Sequence, residues 1–246
     1  MILLTLDFGN SSAHAALYRH GKELARGRLQ DVGEWLKAHA LTFGEVAGVL
    51  SQVKPYDEEL KELMKQGLLI ERIQDYWKGH KFAGMPVRYA QSLGEDRLVT
   101  AWWAFKEYQT PTLVIDAGSF LTLDIVTSEG LQGGFILPGT KLLGETLAQG
   151  AQLKAQEFTD LKKEILTGSE LPHTTADALQ GAAIAYAALI QKLMVRWGVA
   201  QIVLTGGNAG VVEGWLKPLT HELPLHIKPD LVHWALYEWY RRNIGA

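Results

Sequence analysis

The chain has 246 residues, which allows one large domain or two of ordinary size, each able to bury a core. Its formal net charge is -3 and its pI about 6.2, and no basic run occurs, so nucleic acid is not an expected partner. Hydrophobic residues at 47%, charged residues at 21% and no cysteine indicate a soluble globular protein without disulfides, thiolate metal sites or a cysteine nucleophile.

The N-terminus leads into a predicted strand without a basic leader, and no apolar run is long enough to span a bilayer. We therefore expect a cytoplasmic protein that does not associate with membranes.

The first half of the chain opens with a predicted strand, a tight turn and a second strand. An apolar run leads to Asp7, the residues FGNSS form the turn, and the apolar pattern resumes at Ala13. Strands and helices then alternate. The pattern predicts strands at 15–18, 23–29, 46–53 and 68–73, helices at 32–39 and 56–66, and a loop at 79–89.

A clear helix is predicted at 98–108, and the motif Gly94-Glu95-Asp96-Arg97 stands at its N-terminus. Acids in a first helical turn often only complement the helix dipole, which explains Glu95 well enough. Asp96 and Arg97 are equally explained by a cap and a surface charge. The pattern alone leaves a functional site and a simple cap equally open.

The second half begins after a seam at 109–111 with another strand, turn and strand. Apolar residues lead to Asp116, the residues DAGS form the turn, and apolar and polar residues alternate at 121–126. The remaining pattern predicts strands at 130–138, 199–204 and 225–227, and helices at 139–153, 176–197, 211–216 and 229–243, with 155–170 ambiguous.

The two turns at Asp7 and Asp116 lie about half a chain apart. Either turn alone is explained as ordinary structure, because Asp-x-Gly turns are common in β-proteins. Their occurrence at equivalent places predicts a mixed α/β protein of two similar domains, 1–108 and 109–246. A nucleotide is expected between the two copies.

Glycine turns at 7–10, 116–119 and 205–210 could each offer backbone N–H groups to a phosphate. The last of them is not a Walker A loop, because no Gly-Lys-Ser/Thr follows it. Taken alone, Gly206-Gly207 is at least as well explained by a plain strand-to-helix turn.

Carboxylates at the two turns indicate cation binding. Asp7 and Asp116 suit a hydrated divalent cation or a monovalent one, both of which prefer oxygen ligands. Phosphoryl transfer also needs a base near the acceptor hydroxyl, for which Asp96 is a candidate. Arg97 could hold a substrate carboxylate through two parallel hydrogen bonds.

Nearly end to end, the chain resembles the type III pantothenate kinases, a family of the acetate and sugar kinase/heat-shock chaperone/actin superfamily. Five motifs carry this resemblance. They are DFGNS at 7–11 (similar to DxGNT), GEDR at 94–97 (GxDR), DAGS at 116–119 with Thr122 and Asp124 (DxGTAxTxD), GGFILPG at 133–139 (GGxIxPG) and TGG at 205–207.

The resemblance implies two actin-like (ribonuclease H-like) domains with the nucleotide site in the cleft between them. It implies ATP-dependent phosphorylation of pantothenate to 4'-phosphopantothenate, the first step of coenzyme A biosynthesis. The implied cofactors are ATP, Mg²⁺ and K⁺ or NH₄⁺, and a homodimer is expected.

The resemblance also implies roles for individual residues. Asp96 would be the catalytic base, Asp116 would bind the monovalent cation, and Asp7 would bind Mg²⁺ through water. Contacts to pantothenate are expected from Tyr89, Gly94, Glu95, Asp96, Arg97 and Thr174. Contacts to ATP are expected from Asp7, Phe8, Gly9, Asn10, Ser11, Ser12, Ala13, His14 and Ser119.

Three positions depart from the family pattern. Tyr89 lies nearer to the GEDR motif than the family's substrate tyrosine, Phe120 replaces a small residue of the second phosphate loop, and Ala235 replaces a glycine. None of these changes removes a charged group that the chemistry requires.

Two other functions compete with the kinase. A non-catalytic nucleotide-binding regulator of the same fold is the main alternative, and the joint presence of Asp7, Asp96, Arg97 and Asp116 argues against it. A kinase for a sugar or a small acid is disfavoured by the GEDR motif and by the lack of a large sugar-binding insert.

Overall fold

The computed structural model describes residues 1–10, 12–53, 57–147, 149, 169–218 and 223–245. Contacts within the chain divide it into two compact units. Unit 1 comprises Met1–Glu107 with Asp230–Ala246, and unit 2 comprises Tyr108–Pro229.

Unit 1 is built on a five-stranded mixed sheet with the strand order β3-β2-β1-β4-β5. β1 pairs antiparallel with β2 and parallel with β4, and its leucines at positions 3, 4 and 6 are fully buried. The elements are β1 Ile2–Phe8, β2 Ala13–Arg19, β3 Lys22–Arg28, α1 Val32–Ala38, β4 Ala47–Gln52, α2 Asp57–Lys65, β5 Leu69–Arg72, β6 Trp77–Lys78, β7 Lys81–Phe82, β8 Met85–Pro86 and α3 Glu95–Glu107.

Unit 2 has a second five-stranded mixed sheet, with the order β11-β10-β9-β12-β13. β9 pairs antiparallel with β10 and parallel with β12. The elements are β9 Thr112–Ala117, β10 Phe120–Thr127, β11 Gly130–Pro138, α4 Thr140–Leu147, α5 Thr175–Leu179, α6 Gly181–Trp197, β12 Gln201–Thr205, α7 Ala209–Leu216 and β13 Leu225–Ile227; α8 Leu231–Asn243 follows in unit 1.

The same strand order therefore occurs twice. In each sheet the first strand lies in the centre. On one side of it the neighbouring strands are joined by antiparallel pairing, and on the other side by parallel pairing. The predicted α/β class with two similar halves is confirmed by this arrangement.

The last helix belongs to unit 1, although the expected division placed all of 109–246 in one domain. α8 packs against β1, β2, β4 and α3. Its aromatic residue Trp239 is fully buried, with its ring 4.8 Å from that of Tyr76 and 6.0 Å from that of Phe82. The assignment of 1–108 and 109–246 as domains stays a prediction.

Several local predictions differ from the structure. The expected loop at 79–89 contains β7 and β8, which form a small antiparallel sheet with β6. The long helix expected at 176–197 is divided at Gln180 into α5 and α6. Of the helix expected at 139–153, the structure describes α4 Thr140–Leu147, whereas 148 and 150–153 lie outside the described residues, as does all of 155–168 of the ambiguous segment.

Within the described residues, the stretch Asp177–Trp197 is long and apolar enough to cross a membrane, judged by length and composition alone. Core helices of soluble proteins pass the same test. Here Ala183, Ala187 and Ile190 are buried within unit 2, where Ala183 and Ile190 join the core on the sheet. One face of α6 therefore packs on the core of unit 2.

A buried histidine links α8 to the central strand of unit 1. Nδ1 of His233 lies 2.9 Å from the Thr5 hydroxyl, which donates to the carbonyl of Ala16 at 3.2 Å. Burial lowers the pKa of His233 to about 3, so the ring is neutral at physiological pH. The imidazole that contacts β1 is therefore uncharged.

We expect the stability of the protein to fall on acidification because of His233. Between pH 6.5 and 3 the unfolded chain binds a proton there that the folded chain does not. The stability that this histidine contributes is therefore present above pH 6.5. It is lost as the pH falls, and the free energy of unfolding decreases by about 1.4 kcal/mol per pH unit.

Urea unfolding between pH 7 and 4 measures this effect, and the free energy of unfolding should depend less steeply on pH in His233→Gln than in the wild type. The exposed His80→Gln variant should keep the wild-type slope, and equal slopes for all three proteins would contradict the assignment.

Candidate active site

The first candidate phosphate turn lies at the end of β1 in unit 1. Asp7 pairs with His14 across the β1–β2 ladder, and the N–H of Gly9 donates to the carbonyl of Ser12 at 3.1 Å to close the turn. The Phe8 side chain is fully buried in the core. Because Phe8 is 0% exposed as a whole residue, its expected contact with ATP stays a prediction.

Exposed polar groups surround this turn. Nε2 of His14 lies 2.7 Å from the Ser12 hydroxyl, and Asn10 is exposed beside them. Ala13 pairs with Phe8 and carries no polar side chain. Ser11, an expected ATP contact, lies outside the described residues.

The GEDR motif forms the start of α3, as the sequence predicts. The Arg97 N–H donates to Asp96 Oδ1 at 2.8 Å, and the Leu98 N–H donates to the Gly94 carbonyl at 3.0 Å. A β-carbon on Gly94 would lie within 3.0 Å of Asp96 Oδ1, a distance that real β-carbons do not adopt. The glycine therefore leaves the space in which the Asp96 carboxylate stands.

Both acids of this motif have raised proton affinities. Burial raises the pKa of Asp96, while the N–H and the charge of Arg97 act in the opposite direction. Burial also raises the pKa of Glu95 to about 7, against the hydrogen bond from the Gln52 N–H and the charge of Arg72. Carboxyl groups with raised pKa values are typical of proton-transfer sites, although structural ion pairs show them too.

Tyr89 lies next to the buried arginine of the motif. The guanidinium carbon of Arg97 is 5.3 Å from the centre of the Tyr89 ring, and Arg97 is only 4% exposed. A cation over an aromatic face is attracted by the electron density of the ring. Tyr89 therefore contacts the motif, although it lies nearer to the motif in the sequence than the family's substrate tyrosine does.

In unit 2 the second candidate turn joins β9 to β10. The Gly118 N–H donates to the Phe120 carbonyl at 3.0 Å, and the Gly139 N–H donates to the Ser119 carbonyl at 3.0 Å. Ser119 is exposed, and the Phe120 side chain is 39% exposed. Asp116 precedes this turn and is partly buried.

The glycine turn after β12 packs directly on the Asp116 turn. Gly206 has φ +91°, and a β-carbon there would lie within 3.0 Å of Asp116 Oδ1 and of the Ala117 backbone. The Asn208 N–H donates to the Ala117 carbonyl at 2.8 Å, and its side-chain amide donates to the Gly118 carbonyl at 3.4 Å. The sequence indicated the turn at 205–210 as a candidate phosphate site, but it gave no signal for the contact of Gly206 and Asn208 with the Asp116 turn.

Thr174 lies elsewhere in unit 2, at the N-cap of α5. Its hydroxyl oxygen accepts from the Asp177 N–H at 3.1 Å, and the residue is exposed. Its structural role is therefore that of a helix cap.

The residues at the two turns have the chemistry of oxygen-ligated cation sites. Asp7 and Asp116 are partly buried carboxylates at strand ends, and the space over Asp116 exists only because Gly206 has no side chain. Among the described residues no group of three or more histidines and acids could form a complete metal cage. A divalent ion at Asp7 would therefore be shared with phosphate oxygens and water, as is common for Mg²⁺.

Comparison with known proteins gives a consistent assignment. A family model described as type III pantothenate kinase matches residues 3–196 of this chain. Type III pantothenate kinase from Thermomicrobium roseum is 29% identical over 276 residues, covering 100% of both chains. The protein of that name from Caulobacter vibrioides is 26% identical, covering 100% of this chain and 99% of the relative.

Solved structures of similar fold include sugar kinases. A putative Baf family transcriptional activator from Campylobacter jejuni has a TM-score of 0.63 at 20% identity, covering 99% of this chain and 100% of that one. A putative 2-dehydro-3-deoxygalactonokinase from Sinorhizobium meliloti has a TM-score of 0.56 at 14% identity, covering 99% of this chain and 97% of that one. At these identities the likenesses show the fold alone, and they confirm the predicted fold class.

Gly206 and Gly207 provide a matched test of the turn over Asp116. We expect Gly206→Ala to destabilise the protein by about 1–3 kcal/mol, because the new methyl group meets the carboxylate and the backbone at a positive φ. A β-carbon on Gly207 would meet nothing within 4 Å, so Gly207→Ala should change stability by less than about 0.5 kcal/mol. Urea unfolding of both variants measures the difference, and equal stabilities would show that the contact has no energetic weight.

Proposed function

The chain belongs to the type III pantothenate kinase family, and from this membership we propose that it phosphorylates the terminal hydroxyl of pantothenate with ATP. The product is 4'-phosphopantothenate, and the reaction is the first step of coenzyme A biosynthesis. The observation that supports this function most directly is the start of α3. There Asp96 and the buried Arg97 occupy adjacent positions beside Tyr89.

Asp96 is the proposed catalytic base. Burial raises its proton affinity, so it accepts the hydroxyl proton of pantothenate more readily than an exposed aspartate would. The hydroxyl oxygen then bonds to the γ-phosphorus, and the bond between that phosphorus and its bridging oxygen breaks to release ADP. Asp96 also orients the hydroxyl for this attack.

Arg97 and Tyr89 are the proposed binding residues for pantothenate. The guanidinium group suits the substrate carboxylate, since its N–H groups can form two parallel hydrogen bonds. Its stacking on Tyr89 and its burial limit the orientations that it can adopt. Thr174 is proposed as a further contact from its exposed cap position, where the hydroxyl hydrogen can still be donated.

The turn after β1 is the proposed site for the ATP phosphates. Its backbone N–H groups and the polar side chains of Asn10, Ser12 and His14 can donate to phosphate oxygens. Asp7 would hold Mg²⁺ through water, and Asp116 would hold K⁺ or NH₄⁺ with Ser119 contacting ATP. Bound cations supply neutralisation of the charge that develops on the phosphates.

We further propose that the protein is a cytoplasmic homodimer. The solvent side of α6 carries the small residues Gly181, Ala185 and Ala188, which permit close approach of a second helix. The exposed Val195 on the same helix extends this surface with an apolar group.

A coupled assay of ADP release tests the function and the cation together. We expect turnover that requires pantothenate and Mg-ATP, because a kinase without its acceptor releases little ADP. Turnover should fall when Na⁺ replaces K⁺, because a smaller ion fits a K⁺ site poorly. Absence of turnover in every cation, with ATP binding intact, would instead favour the nucleotide-binding regulator.

The role of Asp96 is tested by Asp96→Asn. The amide cannot accept the proton, so we expect kcat to fall about 100-fold or more, the usual contribution of a general base. ATP binding, measured by calorimetry, should stay within about threefold of wild type. A kcat close to wild type would remove Asp96 from the role of base.

A further inference from the structure

The side chain of Glu95 is directed at the protein interior and not at solvent. Glu95 is the first residue of α3 and is only 8% exposed. Its Oε2 accepts a hydrogen bond from the backbone N–H of Gln52, the last residue of β4, at 3.0 Å. An acid that only complemented a helix dipole would not need this burial or this partner.

The next amide along the chain reaches the first phosphate turn. The N–H of Val53 donates to the carbonyl of Phe8 at 2.8 Å, and Phe8 directly follows Asp7. Two consecutive amides at the end of β4 therefore hold the end of β1 and the start of α3. Through Glu95 they connect the residue after Asp7 to the residue before Asp96.

Charged groups from neighbouring elements surround this connection. Arg72 at the end of β5 donates to the side-chain oxygen of Gln52, and its positive charge favours the ionised form of Glu95. Asp96 and Asp75 favour the neutral form. Both forms retain an oxygen that accepts from the Gln52 N–H, so the hydrogen bond survives a change of protonation.

We infer that Glu95 is a positioning residue, which anchors the first turn of α3 to the end of β4 and thereby sets the place of Asp96 relative to the Asp7 turn. This inference rests on the proposed kinase function. It assigns Glu95 a role different from the expected contact with pantothenate. The physical reason is that phosphoryl transfer depends on the alignment of acceptor and donor, and small misplacements of a catalytic group cost large factors in rate.

Three substitutions at Glu95 separate the position of the oxygen from its charge. Glu95→Gln keeps an oxygen at the same reach without the charge. Glu95→Asp keeps the charge and withdraws the oxygen by one methylene, and Glu95→Ala removes both. We expect kcat to stay within about fivefold of wild type for Gln and to fall about 10- to 100-fold for Asp and Ala. The KM for ATP should change by less than about threefold in all three.

The split between kcat and KM and the rescue by Gln distinguish positioning from general stability. If Glu95 served stability alone, thermal unfolding would shift while kcat of the folded enzyme stayed at the wild-type value. If the Glu95→Ala variant fails to fold, the comparison of the other two variants still tests the inference, which predicts a higher kcat for Glu95→Gln than for Glu95→Asp. Wild-type kcat in the Asp variant, or an Asp variant more active than the Gln variant, would overturn the inference.

Asp75→Asn is the matched control, because it removes a charge close to Glu95 without touching the hydrogen bond to Gln52. Its kcat should equal that of wild type.

The wild-type assay is performed first. A wild-type protein without pantothenate-dependent turnover would refute the proposed function and this inference together, whereas an active wild type with an unchanged Asp variant would refute the inference alone.

Discussion

The candidate site residues of unit 1 contact backbone amides that lie where a ladder of strand hydrogen bonds ends. Buried N–H groups must find partners, and at the end of β4 the amides of Gln52 and Val53 find them in the Glu95 carboxylate and the Phe8 carbonyl. In unit 2 the corresponding hydrogen bond runs from the backbone N–H of Asn208 to the carbonyl of Ala117, the last residue of β9. In both units a backbone N–H that needs a hydrogen-bond partner thus holds a neighbouring segment in place. In unit 1 that segment is the start of α3 beside Asp96, and in unit 2 it is the glycine turn beside Asp116.

The repeated topology explains why the two acids occupy equivalent positions. Asp7 is the penultimate residue of the central strand of the first sheet and lies opposite Ser51 of the parallel strand. Asp116 is the penultimate residue of the central strand of the second sheet and lies opposite Thr205. A buried hydroxyl residue therefore stands beside each acid, at the carboxyl end of a parallel pair. Ligands of open α/β sheets bind at such ends, because the strands there release their chains into loops on one edge.

Local patterns in the sequence predicted the strands, the two acid-bearing turns and the helix behind the GEDR motif. They could not predict which distant segments meet, because periodicity records the face of an element and not its partner. The contact of Gly206 with Asp116 joins positions ninety residues apart, and the hydrogen bond of Glu95 joins α3 to β4. The packing of α8 against β1, β2, β4 and α3 likewise joins segments that are distant in the sequence. The small sheet at β6–β8 was missed because strands of two residues carry no period.

At the start of α3, burial and charge act in opposite directions on Asp96, the proposed base. Removing water from around Asp96 raises its pKa, which strengthens it as a proton acceptor but, unopposed, would leave it protonated and inactive. The adjacent Arg97 opposes this effect twice, through its backbone N–H and through its positive charge. Arg97 is itself buried against Tyr89, so the compensating charge cannot move away into solvent. If Asp96 is the base that we propose, the charge of Arg97 helps to keep its carboxylate ionised, which gives a physical reason for the adjacency of the two residues in the motif.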